Sequence, residues 1–122
     1  MESGFRKLKV WQRGKALAVS IYRITASRQF EQDWGLRDQM RRCAVSIPSN
    51  IAEGEGRSSE IDSARFLSIA RGSAAELITQ LEIAEEIEYL KNNIVFEAID
   101  ECEQISSMLS ALILKKRAKP KR

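Results

Sequence analysis

The stretch GLRDQMRRCAVSIPSNIAEG, Gly35 to Gly54, reads as one helical segment with an apolar stripe and a cationic outside. Leu36, Met40, Cys43/Ala44, Ile47 and Ile51 recur at three- and four-residue intervals, the spacing that gathers side chains on one helix face. Arg37, Arg41 and Arg42 fall off that stripe, so their guanidinium groups are presented outward. Pro48 removes a backbone donor and crowds the carbonyl of Ala44, which predicts a kink or a division into two helical pieces. Ser46, Ser49 and Asn50 are placed to satisfy the backbone groups opened there. Gly54 and Gly56 end the segment, and Ser59 followed by Asp62 is a capping pair for the next helix.

Outward from this segment the same period recurs. A first helix is expected from Val10 to Thr25, with Trp11, Ala18, Ile21, Tyr22 and Thr25 on its inner side; Gly14 within it costs about 1 kcal/mol relative to alanine. In the following linker, Phe30 and Trp34 are expected to pin the loop to the body. A long helix is read from Ser59 to Glu88 on the seam Phe66, Ala70, Ser73/Ala74, Leu77, Leu81, Ala84 and Ile87, with Gly72 to Ala75 as a slim middle for close helix approach. A last helix runs from Ile94 to Lys116, turning Ile94, Ala98, Cys102, Ile105, Leu109 and Leu112 inward. Short links favour antiparallel neighbours. The expected fold is all-α, an antiparallel up-down-up-down four-helix bundle over residues 1–114, followed by a basic tail over 115–122 expected to be disordered.

A chain of 122 residues suffices for one core, and two prolines with six glycines leave few strand-and-turn signals. No apolar run approaches the ~20 residues of a membrane span, and the first residues lack a signal-peptide core, so a cytoplasmic location away from membranes is expected. The chain has no histidine, which removes the commonest general base and the commonest transition-metal ligand. Cys43 and Cys102 occupy apolar helical positions and read as buried free thiols. Glu82, Glu85 and Glu86, like Glu97, Asp100 and Glu101, read as solvated helix surface. The turn Gly54-Glu55-Gly56-Arg57-Ser58-Ser59 follows a helix and lacks the Lys-Ser/Thr ending of a phosphate-binding loop, although Arg57 beside the next helix start can meet one phosphate. No catalytic, cofactor-binding or metal-binding residue is assigned, and the protein is read as a non-enzyme without a cofactor.

Charge is distributed unevenly. Residues 1–73 carry 13 Lys/Arg against 8 Asp/Glu, residues 74–114 carry 1 against 9, and residues 115–122 carry 6 with no acid. The net +3 is thus owed to the tail. One reading makes Arg37, Arg41, Arg42 and Arg57 phosphate contacts for RNA or DNA, with Lys115, Lys116, Arg117 and Lys119 adding non-specific affinity. The alternative is an assembly scaffold whose arginines are structural, paired with Glu53 or with acidic groups of a neighbour. A basic first half and an acidic second half also favour head-to-tail contact between copies, closing into a ring, with Val45, Ile78 and Ile113 as apolar rim.

Phe5, the run Leu8 to Gln12, the segment from Gln39 to Gly54 with Arg57, and Phe66 to Ser73 with Glu76, Leu77, Gln80 and Leu81 resemble the four-helix-bundle proteins named after 23S rRNA intervening sequences. The resemblance covers the chain except its basic tail. It implies a small antiparallel bundle, a homo-oligomeric ring with five copies favoured, and no catalytic site. The related accessory variability determinant of diversity-generating retroelements implies association with nucleic acid and a reverse transcriptase partner. Two departures stand out: Phe30 is not followed by a proline, and Gly14 replaces the usual alanine. Neither touches the arginine-rich segment.

Overall fold

Four amphipathic helices each carry an apolar stripe that none can hide alone, and the bundle is the packing that buries all four. The computed structural model describes residues 4–118. A 3-10 turn, Gly4–Lys7, leads into α1 (Lys9–Ile24), the single turn α2 (Arg28–Glu31), α3 (Trp34–Glu55), α4 (Glu60–Glu86) and α5 (Asn92–Arg117). No strand occurs among the described residues. Gly14 lies against Ile47 and Pro48, while Arg41 reaches back to Tyr22 and Thr25, so α1 and α3 run in opposite directions. Cys43 and Ser46 meet Ser73 and Gly54 meets Ser63, which opposes α3 and α4. Asn92 bonds Glu85 and Arg117 bonds Ser68, opposing α4 and α5. Arg13 closes the circle from α1 to α5 with a two-pronged pair, Nε to Glu101 Oε2 at 2.8 Å and Nη2 to Glu101 Oε1 at 2.7 Å. That carboxylate raises the Arg13 pKa, its hydrogen bond being the main cause.

Ile21, Phe30, Met40, Ile47, Ile51, Leu77, Leu81, Ile105 and Leu109 are fully buried and form the centre of the core. Several positions differ from the expected pattern. Tyr22 is exposed and Trp11 half-buried, whereas Ala18, Ile21 and Thr25 are buried as expected, joined by Val10, Gly14 and Leu17. Of the two linker aromatics, Phe30 is buried but Trp34 opens α3 and faces solvent. Ile113 is buried and Ile94 and Leu112 only half-buried, because the inner face of α5 follows Val95, Ala98, Cys102, Ile105 and Leu109. Ile113 therefore cannot serve as an exposed rim. Ile87 is exposed since α4 stops at Glu86, and Glu88 takes a left-handed φ of 66° in the turn. Lys115, Lys116 and Arg117 form the last turn of α5, so that helix continues through the first residues of the basic segment. Lys119 lies outside the described residues.

Ser59 caps α4 as expected, and Asp33 caps α3. Ser59 Oγ accepts from the Asp62 amide at 3.0 Å, and Asp33 Oδ1 accepts from the Leu36 amide at 3.1 Å. The other Asp33 oxygen accepts from Tyr89 Oη at 3.0 Å, and the Tyr89 ring stands edge-on to Phe30 at 5.1 Å. That one carboxylate thus caps α3 and ties it to the turn between α4 and α5. Its hydrogen bond also raises the Tyr89 pKa.

Helix α3 passes through Pro48 as one assigned helix. Pro48 is buried opposite Gly14, where a Cβ would stand 3.3 Å from Ile47 Cγ2 and 3.6 Å from Pro48 Cβ. The Gly14 that looks costly in isolation is a point of close contact between α1 and α3. Gly54 does the same for α4: a Cβ there would stand 3.1 Å from the Ser63 carbonyl oxygen and 3.3 Å from Phe66 Cβ. Gly72 faces open space, so close approach on α4 falls at Ser73 and Ala74 instead. Gly54→Ala should accordingly lower stability by about 1–3 kcal/mol through overpacking against backbone. Gly72→Ala should raise it by about 0.4–1 kcal/mol by restricting the unfolded chain. Urea unfolding of the two variants measures both signs.

Candidate functional site

Trp34, Arg37 and Arg41 stand three and four residues apart on α3 and share one of its faces. The Arg37 guanidinium carbon lies 5.9 Å from the centre of the Trp34 ring. The Arg41 carbon lies 4.5 Å from the Tyr22 ring, supplied by α1. The result is a ladder, Trp34–Arg37–Arg41–Tyr22, in which each aromatic ring has a guanidinium against it. Trp34 is 67% exposed and Tyr22 46%, so both rings remain accessible. Beside the ladder, Tyr22, Asp38, Arg41, Arg42, Val45 and Ser46 line a shallow cavity of about 490 Å³.

The three arginines of this segment do different things. Arg41 donates from Nε to Thr25 Oγ1 at 2.9 Å and from Nη2 to the Tyr22 carbonyl at 3.2 Å. It holds the last turn of α1, where the helix dipole favours a cation. Arg37 is half-buried and approaches Asp38 at 3.7 Å, and its Nε is buried without a hydrogen-bond partner. Arg42 is exposed and makes no ion pair or hydrogen bond among the described residues.

Arg57 sits beyond the far end of α3, about 20 Å along the bundle from Arg42 at 1.5 Å of rise per residue. It pairs with Glu53 at 2.6 Å and Asp62 at 3.7 Å and lies over the Phe66 ring. Lys116 pairs with Glu60 at 3.2 Å, Arg117 donates to Ser68 Oγ at 3.4 Å, and Lys115 is exposed. The basic residues singled out in the sequence therefore form two groups: Arg37, Arg41 and Arg42 on the α1–α3 face, and Arg57, Lys115, Lys116 and Arg117 at the end of the bundle where α5 finishes. Sequence reasoning missed Tyr22 and Trp34 as members of the site. The spacing of Trp34 at three and seven residues before Arg37 and Arg41 was the available signal.

Cys43 and Cys102 are buried and free. Burial is the first cause that pushes each thiol up to about 12. Cys43 Sγ also donates to the Ser73 carbonyl at 3.1 Å. Among the described residues no cluster of acidic, cysteine or histidine side chains is placed to hold a metal ion, and no helix is long and apolar enough to cross a membrane.

At pH 8 roughly one thiol in ten thousand is ionised at such a pKa, so a disulfide reagent should modify the native protein only at the rate of unfolding, and both cysteines at once in denaturant. Arg41→Ala should cost about 0.5–1.5 kcal/mol by removing its hydrogen bonds to Thr25 Oγ1 and the Tyr22 carbonyl. Arg42→Ala should change stability by less than about 0.5 kcal/mol, with thermal unfolding as the measurement for both.

No curated protein matches the chain. A solved structure resembles it over 85% of this chain and 97% of its own, at 26% identity and a TM-score of 0.79: a protein of unknown function from the S23 ribosomal protein family of Bacteroides thetaiotaomicron VPI-5482. The family profile described as 23S rRNA-intervening sequence protein matches residues 6–111, from before α1 into the last turns of α5 and across the whole aromatic–arginine face. With both its bundle and its sequence accounted for in this way, the chain belongs to the 23S rRNA-intervening sequence protein family.

Proposed function

We propose that the protein is a non-enzymatic nucleic-acid-binding bundle that takes single-stranded or unpaired segments along its α1–α3 face. The observation that carries this reading is the ladder of exposed rings and guanidinium groups from Trp34 to Tyr22, with Arg42 unpaired beside it. Bases stack on aromatic faces irrespective of sequence, and neighbouring cations meet the phosphates. Arg57, Lys115 and Arg117 add a second, separate cationic group at the end of the bundle where α5 finishes. Carboxylates already engage Arg57, so it contributes less than Arg42.

The working assembly in this reading is a homo-oligomeric ring, with five copies favoured. Phe96, exposed beside Glu82, Glu85 and Glu86, gives a neighbouring copy an apolar contact in acidic surroundings. A second reading, an assembly scaffold with structural arginines, is favoured by one observation: Arg41 is hydrogen-bonded within its own chain.

Fluorescence anisotropy with a single-stranded RNA, read together with light scattering, separates the two. Tyr22→Ala and Arg42→Glu should each weaken binding about tenfold or more at unchanged oligomer mass, base stacking being worth about 1–3 kcal/mol. Arg42→Glu should also flatten the salt dependence of binding. Flat titrations of the native protein at low salt, or a change of mass in these variants without a change in RNA affinity, would establish the scaffold instead.

A further inference from the structure

Phe96 is 70% exposed and stands on the side of α5 that meets α4, beside Glu82 and Glu86. With half-buried Ile99 these side chains line a cavity of about 200 Å³. Glu82 and Glu86 are exposed and take part in no ion pair or hydrogen bond among the described residues. Glu85, next to them, accepts from the neutral amide of Asn92 at 2.7 Å and so keeps its charge uncompensated. An accessible ring among free carboxylates suits one chemical class, a lysine or arginine side chain. Its aliphatic stem covers apolar surface, its cation meets the ring face, and its N–H donors meet the carboxylates. The same carboxylates repel a polyanion, so this face is not part of the nucleic-acid surface.

The chain carries such side chains itself. Residues 74–114 hold one Lys/Arg against nine Asp/Glu, whereas residues 115–122 hold six Lys/Arg and no acid. Lys116 and Arg117 are engaged by Glu60 and Ser68; Lys119, Lys121 and Arg122 follow beyond the described residues. At that end of the bundle Glu53, Glu60 and Asp62 already hold Arg57, Lys116 and Arg65, so little uncompensated negative charge lies nearby. From Arg117 back to Phe96 the helix runs about 32 Å at 1.5 Å per residue. Residues 118–122 span at most about 18 Å when fully extended, so they meet Phe96 only on another copy. We propose that the acidic face around Phe96 receives residues 119–122 of a neighbouring copy, one cation on the ring and others on Glu82 and Glu86. The proposal rests on the homo-oligomer reading above. Surface ion pairs of this kind are individually weak and screened by salt, and assembly strengthens them by holding the segment at a high local concentration.

A synthetic peptide with the sequence of residues 115–122, titrated into the full chain and followed by isoleucine methyl NMR, tests the contact, with light scattering on the same samples. The Ile99 methyl signal should shift saturably while that of Ile47, in the core, stays in place. Phe96→Ala should weaken peptide binding at least threefold, as should Glu82→Gln combined with Glu86→Gln; these positions are exposed, so the fold should be unaffected. Raising salt from about 50 to 200 mM should weaken binding at least threefold. A second receptor, the full chain with Lys119→Glu, Lys121→Glu and Arg122→Glu, cannot fill its neighbour's face and should bind the peptide at least threefold more tightly than the unmodified chain. An oligomer whose Ile99 signal ignores the peptide in both receptors would overturn the proposal and leave the ring standing. Equal affinity of the two receptors in an oligomer would show that the face takes a cationic segment of another protein, which also overturns it. A monomer that still binds the peptide at Ile99 would defeat the ring and sustain the contact as a concentration-dependent one between chains. A monomer that ignores the peptide would defeat both.

Discussion

Helix α3 is held on two sides at positions where glycine lets a neighbouring helix come close. Gly14 admits Ile47 and Pro48 from α3 into contact with α1, and Gly54 lets α3 meet the backbone of α4 at Ser63. Along the same helix Met40, Ala44, Ile47 and Ile51 are fully buried. Close packing of this kind loses contact energy with any gap and builds strain with any excess, so the axis of α3 has little freedom relative to its neighbours. The orientation of everything on its outer face, Trp34, Arg37, Arg41 and Arg42 included, follows from that constraint.

Polar groups then set the contacts that apolar packing leaves unspecified. Ser46 and Ser73 hydroxyls lie 2.8 Å apart across α3 and α4, and Asn50 Nδ2 donates to both the Ser46 carbonyl and its hydroxyl at 2.9 Å. Arg13 with Glu101 does the equivalent for α1 and α5. Each such contact satisfies groups that would be costly to leave unpaired, so it favours one relative placement of its helices over nearby alternatives. The two ends of the bundle differ in this respect. At one, Asp33, Phe30 and Tyr89 interlock. At the other, Ser63 is buried with its hydroxyl unpaired, and Lys115 and Lys116 line a small cavity beside Leu8, Leu67 and Leu112.

Neither membership in the 23S rRNA-intervening sequence protein family nor the likeness to a solved structure of unknown function assigns a role to any side chain. The functional proposal therefore rests on side-chain placement. Adjacent arginines in the same segment differ in what they can offer a ligand: Arg41 is committed to the end of α1, whereas Arg42, one residue on, is free in solution-facing space. One residue turns a helix by about 100°, enough to separate a structural cation from an available one.

The sequence by itself determined the four long helices, their apolar stripes and the cap at Ser59, but not the single turn α2, because a 3.6-residue period and local capping chemistry are properties of neighbours along the chain. It also determined that Cys43 and Cys102 are buried, since both lie on those stripes. The tertiary structure alone decided that Gly14 is a contact, that α3 continues through Pro48, and that Tyr22 and Trp34 face outward to meet arginines. An aromatic residue at the edge of a stripe has the same local spacing whether it turns in or out, and only the neighbouring helix settles which. The separation of the basic residues into two groups likewise depends on which helix ends the bundle brings together, a relation between residues as distant in the chain as Leu8 and Lys115.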